Sequence, residues 1–205
     1  MKTTKNIVLA LDVHGGDHGA AVTIPAALDV LASQANVEII LCGIKKEIEP
    51  LLPNQDPGRL TVVEASHALA SDARPVEALR RGRGSSLWLS MELVANERAH
   101  ACVSAGSTAA MLALGVKLLG MLPGIERPAL MSRIPSASGH TSLLDLGANL
   151  NVNANQLVQF AIMGSVASPL DDGSLPTVAL LNVGHEDSKG DSVVREAHGM
   201  LNELP

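Results

Sequence analysis

The sequence predicts an α/β protein, a three-layer α/β/α sandwich around a mostly parallel sheet. Short β-branched apolar runs recur along the chain, helical patterns separate them, and polar glycine-rich segments follow the runs directly. Because the runs are almost continuously apolar, both faces of each strand must be buried, which is the property of a parallel sheet covered by helices.

The first strand is Asn-Ile-Val-Leu-Ala-Leu-Asp at 6–12 and the second is Val-Glu-Ile-Ile-Leu-Cys at 37–42. The turn-rich Pro-Asn-Gln-Asp-Pro-Gly at 53–58 leads to a third, Leu-Thr-Val-Val at 60–63. Leu87, Met91, Val94, Ala95 and Arg98 recur at helical spacing ahead of a fourth strand, Ala-Cys-Val-Ser at 101–104. A later strand is read at 142–145, Ser-Leu-Leu-Asp, then a helix through Leu157, Val158, Ala161, Ile162 and Val166. The connector at 168–176, with two prolines and a glycine, precedes a last strand at 177–183, Thr-Val-Ala-Leu-Leu-Asn-Val. At roughly 150 residues per domain, positions 1–205 read as a single α/β domain. The last residues follow an apparent helix, where a β/α protein would feed another strand, so a further segment is expected.

Composition narrows the function. Apolar residues make up 46% against 18% charged, which suits a packed core. Fifteen Lys and Arg against 21 Asp and Glu give a net charge of −6, and one Trp, one Phe and no Tyr leave almost no stacking platform, so no nucleic acid partner is expected. Cys42 and Cys102 lie inside apolar runs, as small buried hydrophobes do, and suggest neither a disulfide framework nor a zinc site. Asp12 interrupts the first apolar stretch before it reaches signal-peptide length, and nothing approaches the roughly 18 apolar residues of a membrane span. A cytoplasmic protein is expected.

In an open parallel sheet, ligands bind outside the carboxyl ends of the strands. Here those ends carry Asp-Val-His-Gly-Gly-Asp-His-Gly at 12–19, Ser-Ala-Gly-Ser-Thr at 104–108, Asp-Leu-Gly-Ala-Asn at 145–149 and Asn-Val-Gly-His-Glu at 182–186. Such segments suit an anion: glycine lets backbone approach the ligand, and free N–H groups of a following helix point at it. For 104–108 the alternative is local, with Ser107 or Thr108 capping a helix and Gly106 making the turn. His14 and His18 flank Gly15-Gly16 beside Asp17; a glycine pair favours a loop over the helix that would bring both rings to one metal, so no metal is expected. His67, His100, His140 and His198 read as ordinary surface or core residues. Gly-Arg-Gly-Ser-Ser-Leu at 82–87 fails as a dinucleotide fingerprint because it lacks the third glycine and a preceding strand, and neither a P-loop nor a nucleophile elbow occurs. Arg74, Arg80, Arg81 and Arg83 cluster against the acidic average. They read either as a solvated helix end or as a dock for an acidic partner.

At these same segments the chain resembles the bacterial acyl-[acyl carrier protein]:phosphate acyltransferases, the PlsX family. The resemblance rests on Leu-Asp-Val-His-Gly-Gly-Asp-His-Gly at 11–19, Ala-Ser-Asp-Ala-Arg-Pro at 70–75, Arg-Gly-Ser-Ser at 83–86, Ala-Cys-Val-Ser-Ala-Gly at 101–106 and Gly-Ile-Glu-Arg-Pro-Ala at 124–129. It continues through Leu-Asp-Leu-Gly-Ala-Asn at 144–149, the helix at 157–166, and Leu-Leu-Asn-Val-Gly-His-Glu at 180–186 with Lys189-Gly190. Spread in order over nearly the whole chain, these are far more specific than any lone glycine motif.

The resemblance implies a fold like that of isocitrate and isopropylmalate dehydrogenases and of phosphotransacetylase. It implies a homodimer, cytoplasmic or peripheral at the inner membrane face, that moves a fatty acyl group from acyl carrier protein to inorganic phosphate. The acyl phosphate then feeds a membrane glycerol-3-phosphate acyltransferase in phospholipid synthesis. No resident cofactor is implied, since phosphopantetheine arrives on the carrier. Ser104, Thr108, Asp145 and Asn149 become the candidate catalytic residues. Gly15, Gly16, Ser104, Gly106, Ser107 and Thr108 form the candidate phosphate and oxyanion cradle, with Asp12, Asp17, Asn182, Glu186 and Lys189 as further substrate-binding positions. Arg74, Arg80, Arg81 and Arg83 become the candidate carrier-protein dock. The chain departs from the family at His14, where Met is usual, at Ser107 and Ala109, where Asn and Gly are usual, and at Asn151, where Asp is usual. Family members continue well beyond position 205 into a second part. A phosphotransacetylase-like acyl-CoA enzyme, or an inactive carrier-binding or dimerisation module, are the competing readings.

Overall fold

The computed structural model describes residues 6–53, 58–137, 139–168, 176–184 and 190–204. The sequence reads as one domain; residue contacts gather into two compact units, Met1–Gly120 and Met121–Pro205.

The first unit runs β1 (Ile7–Asp12), α1 (Ala20–Ser33), β2 (Val37–Gly43), α2 (Lys45–Ile48), β3 (Leu60–Glu64), α3 (Pro75–Arg81), α4 (Ser86–Ala95), β4 (Ala101–Val103) and α5 (Thr108–Leu119). Its four strands form one parallel sheet in the order β3-β2-β1-β4. Leu9 sits opposite Ile39 on one side and Ala101 on the other, which puts the ends of β1 and β4 side by side at the carboxyl rim.

Alternation along β1 builds the layers, because successive side chains of a strand face opposite sides. Leu9 and Leu11 join Ile39 and Leu41 of β2 against Ile24, Ala27 and Leu31 of α1. Val8 and Ala10 join Ile40 and Cys42 on the other face, under Leu89, Leu93 and Val94 of α4. Residues three and four apart supply the apolar stripe of α1, and truncating fully buried Ile24 to Ala removes packing worth about 2–5 kcal/mol. A third cluster joins Ala78 of α3, Leu87 and Met91 of α4, and Ala110 and Leu114 of α5. Helix α4 ends at Ala95, and Glu97 adopts a φ of 57°, so Arg98 lies past the helix rather than on its apolar stripe.

The second unit holds β5 (Met131–Ser136), β6 (Gly139–Leu144), α6 (Ala154–Ala167) and α7 (Ser192–Asn202). Two expectations are corrected here. The run at 142–145 lies at the end of β6, which pairs antiparallel with β5 in a hairpin instead of extending a parallel sheet. The run at 177–183 forms no strand: Leu180 packs on the α6–α7 cluster, while Leu181 and Val183 are 92% and 85% exposed. Apolar β-branched composition makes a strand only where another strand offers backbone partners.

Candidate functional site

Within the first unit the structure brings two of the glycine-rich strand ends together. The loop after β1 turns back at once, with Gly15 N–H donating to the Asp12 carbonyl at 3.3 Å. The loop after β4 meets it: Ser104 Oγ–H donates to Asp12 Oδ2 at 2.7 Å and accepts from Gly106 N–H at 3.0 Å. Gly15 is the seat of this junction. A Cβ there would fall 2.8 Å from Ser104 Oγ and 2.9 Å from both Asp12 Oδ2 and the Gly106 nitrogen, so only glycine allows the two loops to close. Gly16 follows at φ +83° against Ala105, in the left-handed region where side chains are strained.

Ser107 fills the local role read at 104–108. Its Oγ–H donates to the Ala73 carbonyl at 2.8 Å, and its oxygen accepts from Ala110 N–H at 3.2 Å. It therefore caps α5 and fastens that helix to the 70–75 segment. Thr108 is the first residue of α5, exposed, and the N–H groups of Thr108 and Ala109 have no intrahelical partner, as in any first helical turn. Asp17 and His18 are exposed on the same rim.

His14 does not pair with His18. Its Nε2 accepts from Ile44 N–H at 2.8 Å, a bond across 30 positions that no local pattern signals. His67 is likewise engaged, with Nε2 2.9 Å from the Arg81 carbonyl and Nδ1 2.9 Å from Ser66 Oγ. His100 Nδ1 accepts from Val8 N–H at 2.9 Å. Among the described residues, no three His, Cys, Asp or Glu side chains gather as a metal site.

Arg74, Arg80, Arg81 and Arg83 are all exposed around α3 and make no ion pair among the described residues. The two in the last helical turn oppose the negative end of the dipole. Arg74 stands at the other end, where the dipole disfavours a cation, and Val76 and Leu79 are 58% and 46% exposed between them.

In the second unit, Asp145 adopts φ +60°, which only a firm local network sustains for a residue with a side chain. Its Oδ1 accepts from the Asn149 backbone N–H at 3.1 Å and from Asn149 Nδ2 at 2.9 Å, and Nδ2 also donates to the Pro128 carbonyl at 3.1 Å. Beside this loop in sequence, Gln156 completes the capping box of α6 and donates to Glu126 Oε2 at 2.9 Å. Asn182 accepts from Val183 N–H at 2.9 Å through Oδ1. Glu186 and Lys189 lie outside the described residues.

The model of the fatty acid synthesis protein family matches residues 7–205. The chain belongs to that family. The strand-end motifs indicate the same kinship. The chain is also similar in fold to the EutD phosphotransacetylase from Staphylococcus aureus, at a TM-score of 0.65 and 17% identity. The match covers 97% of this chain and 64% of that one, so the chain spans less than two thirds of the length of the structure it matches. The parallel four-stranded sheet flanked by helices is the shared architecture.

Asp12 is the buried acidic side chain of this rim. The residue is 3% exposed, Oδ2 is held by Ser104, and Oδ1 has no hydrogen-bond partner among the described residues. Burial pushes the Cys42 thiol up to about 12, and the neighbouring Cys102 and Asp12 add to the rise. Burial also raises Cys102 and Asp12 adds to that, against the bond of its thiol to Ser90 Oγ at 3.2 Å. Both thiols stay protonated near neutrality and are not nucleophiles. No described helix is long and apolar enough to cross a membrane.

Proposed function

We propose that this fatty acid synthesis protein transfers a fatty acyl group from acyl carrier protein to inorganic phosphate, giving acyl phosphate for phospholipid synthesis. The single observation that carries the reading is the closed junction of the β1 and β4 ends at Gly15, Ser104 and Gly106, next to the open first turn of α5.

Phosphate titrates near neutrality, so a dianionic nucleophile exists without a protein base. Its oxygen attacks the thioester carbonyl and a tetrahedral oxyanion forms. The C–S bond then breaks, and the phosphopantetheine thiolate leaves and takes a proton from water. The protein's task is positioning and stabilisation of the oxyanion by fixed donors. The N–H groups of Thr108 and Ala109 and the Thr108 hydroxyl are the donors for the anion, with Gly16 and Asp17 bordering it. Ser104, Gly106 and Ser107 use their polar groups on one another, on Asp12 and on Ala73, and so hold the rim in shape. Asp145 and Asn149 order their own loop, and the family resemblance makes Asn182, Glu186 and Lys189 further candidates for substrate binding. The arginines around α3, with Val76 and Leu79 between them, dock the acidic carrier protein.

The test is acyl-phosphate formation from acyl carrier protein thioesters and inorganic phosphate. Replacing Thr108 with Ala is expected to raise KM for phosphate about tenfold, the value of one hydrogen bond to an anion. An unchanged KM removes Thr108 from the phosphate site. R80E/R81E is expected to weaken carrier-protein binding in a salt-dependent manner, and unchanged binding returns these residues to a solvated helix end. The likeness to a phosphotransacetylase favours acyl-CoA as the second candidate donor, and faster turnover with acyl-CoA than with the carrier thioester would select it. Carrier binding without turnover would select a binding module.

A further inference from the structure

His14 lies on the loop after β1, and its imidazole is engaged across the fold. The imidazole side chain is 9% exposed and lies between the loop after β1 and the turn from β2 into α2. Nε2 is 2.8 Å from the Ile44 backbone nitrogen, which can only donate, so Nε2 carries no proton and the ring's single hydrogen is on Nδ1. Nδ1 lies 3.7 Å from Glu47 Oε2. Gly43 makes room for the ring: a Cβ there would fall 2.9 Å from Nε2 and 3.0 Å from Ile48 Cδ1. The next residue after His14 is Gly15, on which the Asp12–Ser104–Gly106 junction closes.

We infer that His14 is a positioning residue that latches the Gly15-Gly16 loop to the β2–α2 turn, and that the latch holds only while the ring is neutral. The inference rests on the phosphate-site reading of that loop, but the latch itself does not depend on it. An imidazolium carries N–H at both nitrogens. Acid therefore sets an Nε2–H against the Ile44 N–H, two donors face to face, and leaves that part-buried amide without an acceptor. Glu47 is the charged group that α2 turns toward the ring; Lys45 of that helix pairs with Glu49 at 3.6 Å, and Asp17 and His18 sit exposed on His14's own loop. Glu47 Oε2, 3.7 Å from Nδ1, is the carboxylate that a protonated ring would face.

Two variants separate positioning from mere packing. Glutamine sets an amide oxygen where Nε2 stands and does not titrate, whereas alanine removes the acceptor altogether. In the whole chain, the Ile44 amide followed by NMR and hydrogen exchange is expected to be protected at pH 8 and to lose about tenfold protection toward pH 5, one hydrogen bond's worth. The same amide is expected to stay protected at both pH values in H14Q and to be unprotected throughout in H14A. In phosphate-dependent turnover, H14A is expected to raise KM for phosphate with little change in kcat. H14Q is expected to reverse that rise and to flatten the loss of affinity on acidification relative to wild type. An Ile44 amide indifferent to pH in the wild type, or the same acid loss in H14Q, overturns the latch. A titrating amide in a protein that forms no acyl phosphate leaves the latch standing and overturns the acyltransferase reading instead.

Discussion

Ser104 gives its hydroxyl proton to the buried carboxylate of Asp12 at 2.7 Å, across the seam between β4 and β1. Among the described residues it is the one side-chain bond that joins these strand ends, and Asp12 has no other side-chain donor there.

Removing that donor should therefore be costly in two ways. In S104A a nearly inaccessible carboxylate is left with both oxygens unpartnered, and Gly106 N–H loses its acceptor. Leaving such groups unsatisfied costs on the order of 3 kcal/mol. Denaturant melts should show the midpoint falling with the slope unchanged, and acyl-phosphate formation should fall with it. A wild-type midpoint in S104A would mean that water satisfies the carboxylate and that Ser104 does not fasten the rim.

Two glycines make opposite predictions. Gly15 has three polar atoms within 2.9 Å of any Cβ, one of them backbone, so G15A must separate the two loops. A loss of about 1–3 kcal/mol is expected from overpacking, with phosphate binding abolished. Gly115 lies inside α5 with nothing within 4 Å of its Cβ position. G115A should raise stability by about 0.5–1 kcal/mol through helix propensity alone. Thermal melts of the two variants side by side check the contrast, and a stabilised G15A would contradict the closed junction.

The two glycines also show what the sequence discloses and what it conceals. Gly15 announces itself because it follows an apolar run that ends in Asp12, and the parallel sheet is equally plain in the apolar stretch from Ile39 to Cys42 of β2. Thr177 to Val183 has the same apolar character and makes no strand, because pairing is a property of two segments and composition reports one. The hairpin β5–β6 hides for a related reason: Pro135 and the polar residues of β5 look unlike a strand, yet β6 supplies its partner residue by residue. At the site, Ser107's capping role is a local pattern, a hydroxyl just ahead of an apolar helix. The bond from Ile44 to His14 and the one from Ser107 to Ala73 span 30 and 34 positions and leave no local trace.

Arg59 illustrates a long-range role that is structural. Its guanidinium donates to the carbonyls of Leu31, Gln34 and Val37 at 2.5, 2.7 and 2.7 Å, closing the C-terminal end of α1 onto the start of β2. The Leu31 carbonyl, in the last turn of α1, has no helical donor, and the cation also meets the negative end of the helix dipole. R59M keeps the aliphatic stem and removes the donors; a loss of about 2 kcal/mol is expected. Hydrogen exchange should localise the damage to the last turn of α1. Equal exchange across α1 in both proteins would argue against a capping role.

Cys42 predicts an alkaline weakness. Its thiol is fully buried, and burial, Cys102 and Asp12 together push it up to about 12 from 9.0. The folded chain thus keeps a proton that the unfolded chain gives up, so the unfolded state binds fewer protons and stability declines as pH rises. The contribution is complete below about pH 9 and is lost as pH climbs toward about 12. No tyrosine titrates in this window to confuse the measurement. The difference in unfolding free energy between wild type and C42A should be flat at neutral pH and shrink across the alkaline range. Alkylation at pH 8 should spare Cys42 until denaturant is added. Rapid native labelling, or a constant difference between the two proteins up to pH 11, would show that burial does not hold the thiol protonated.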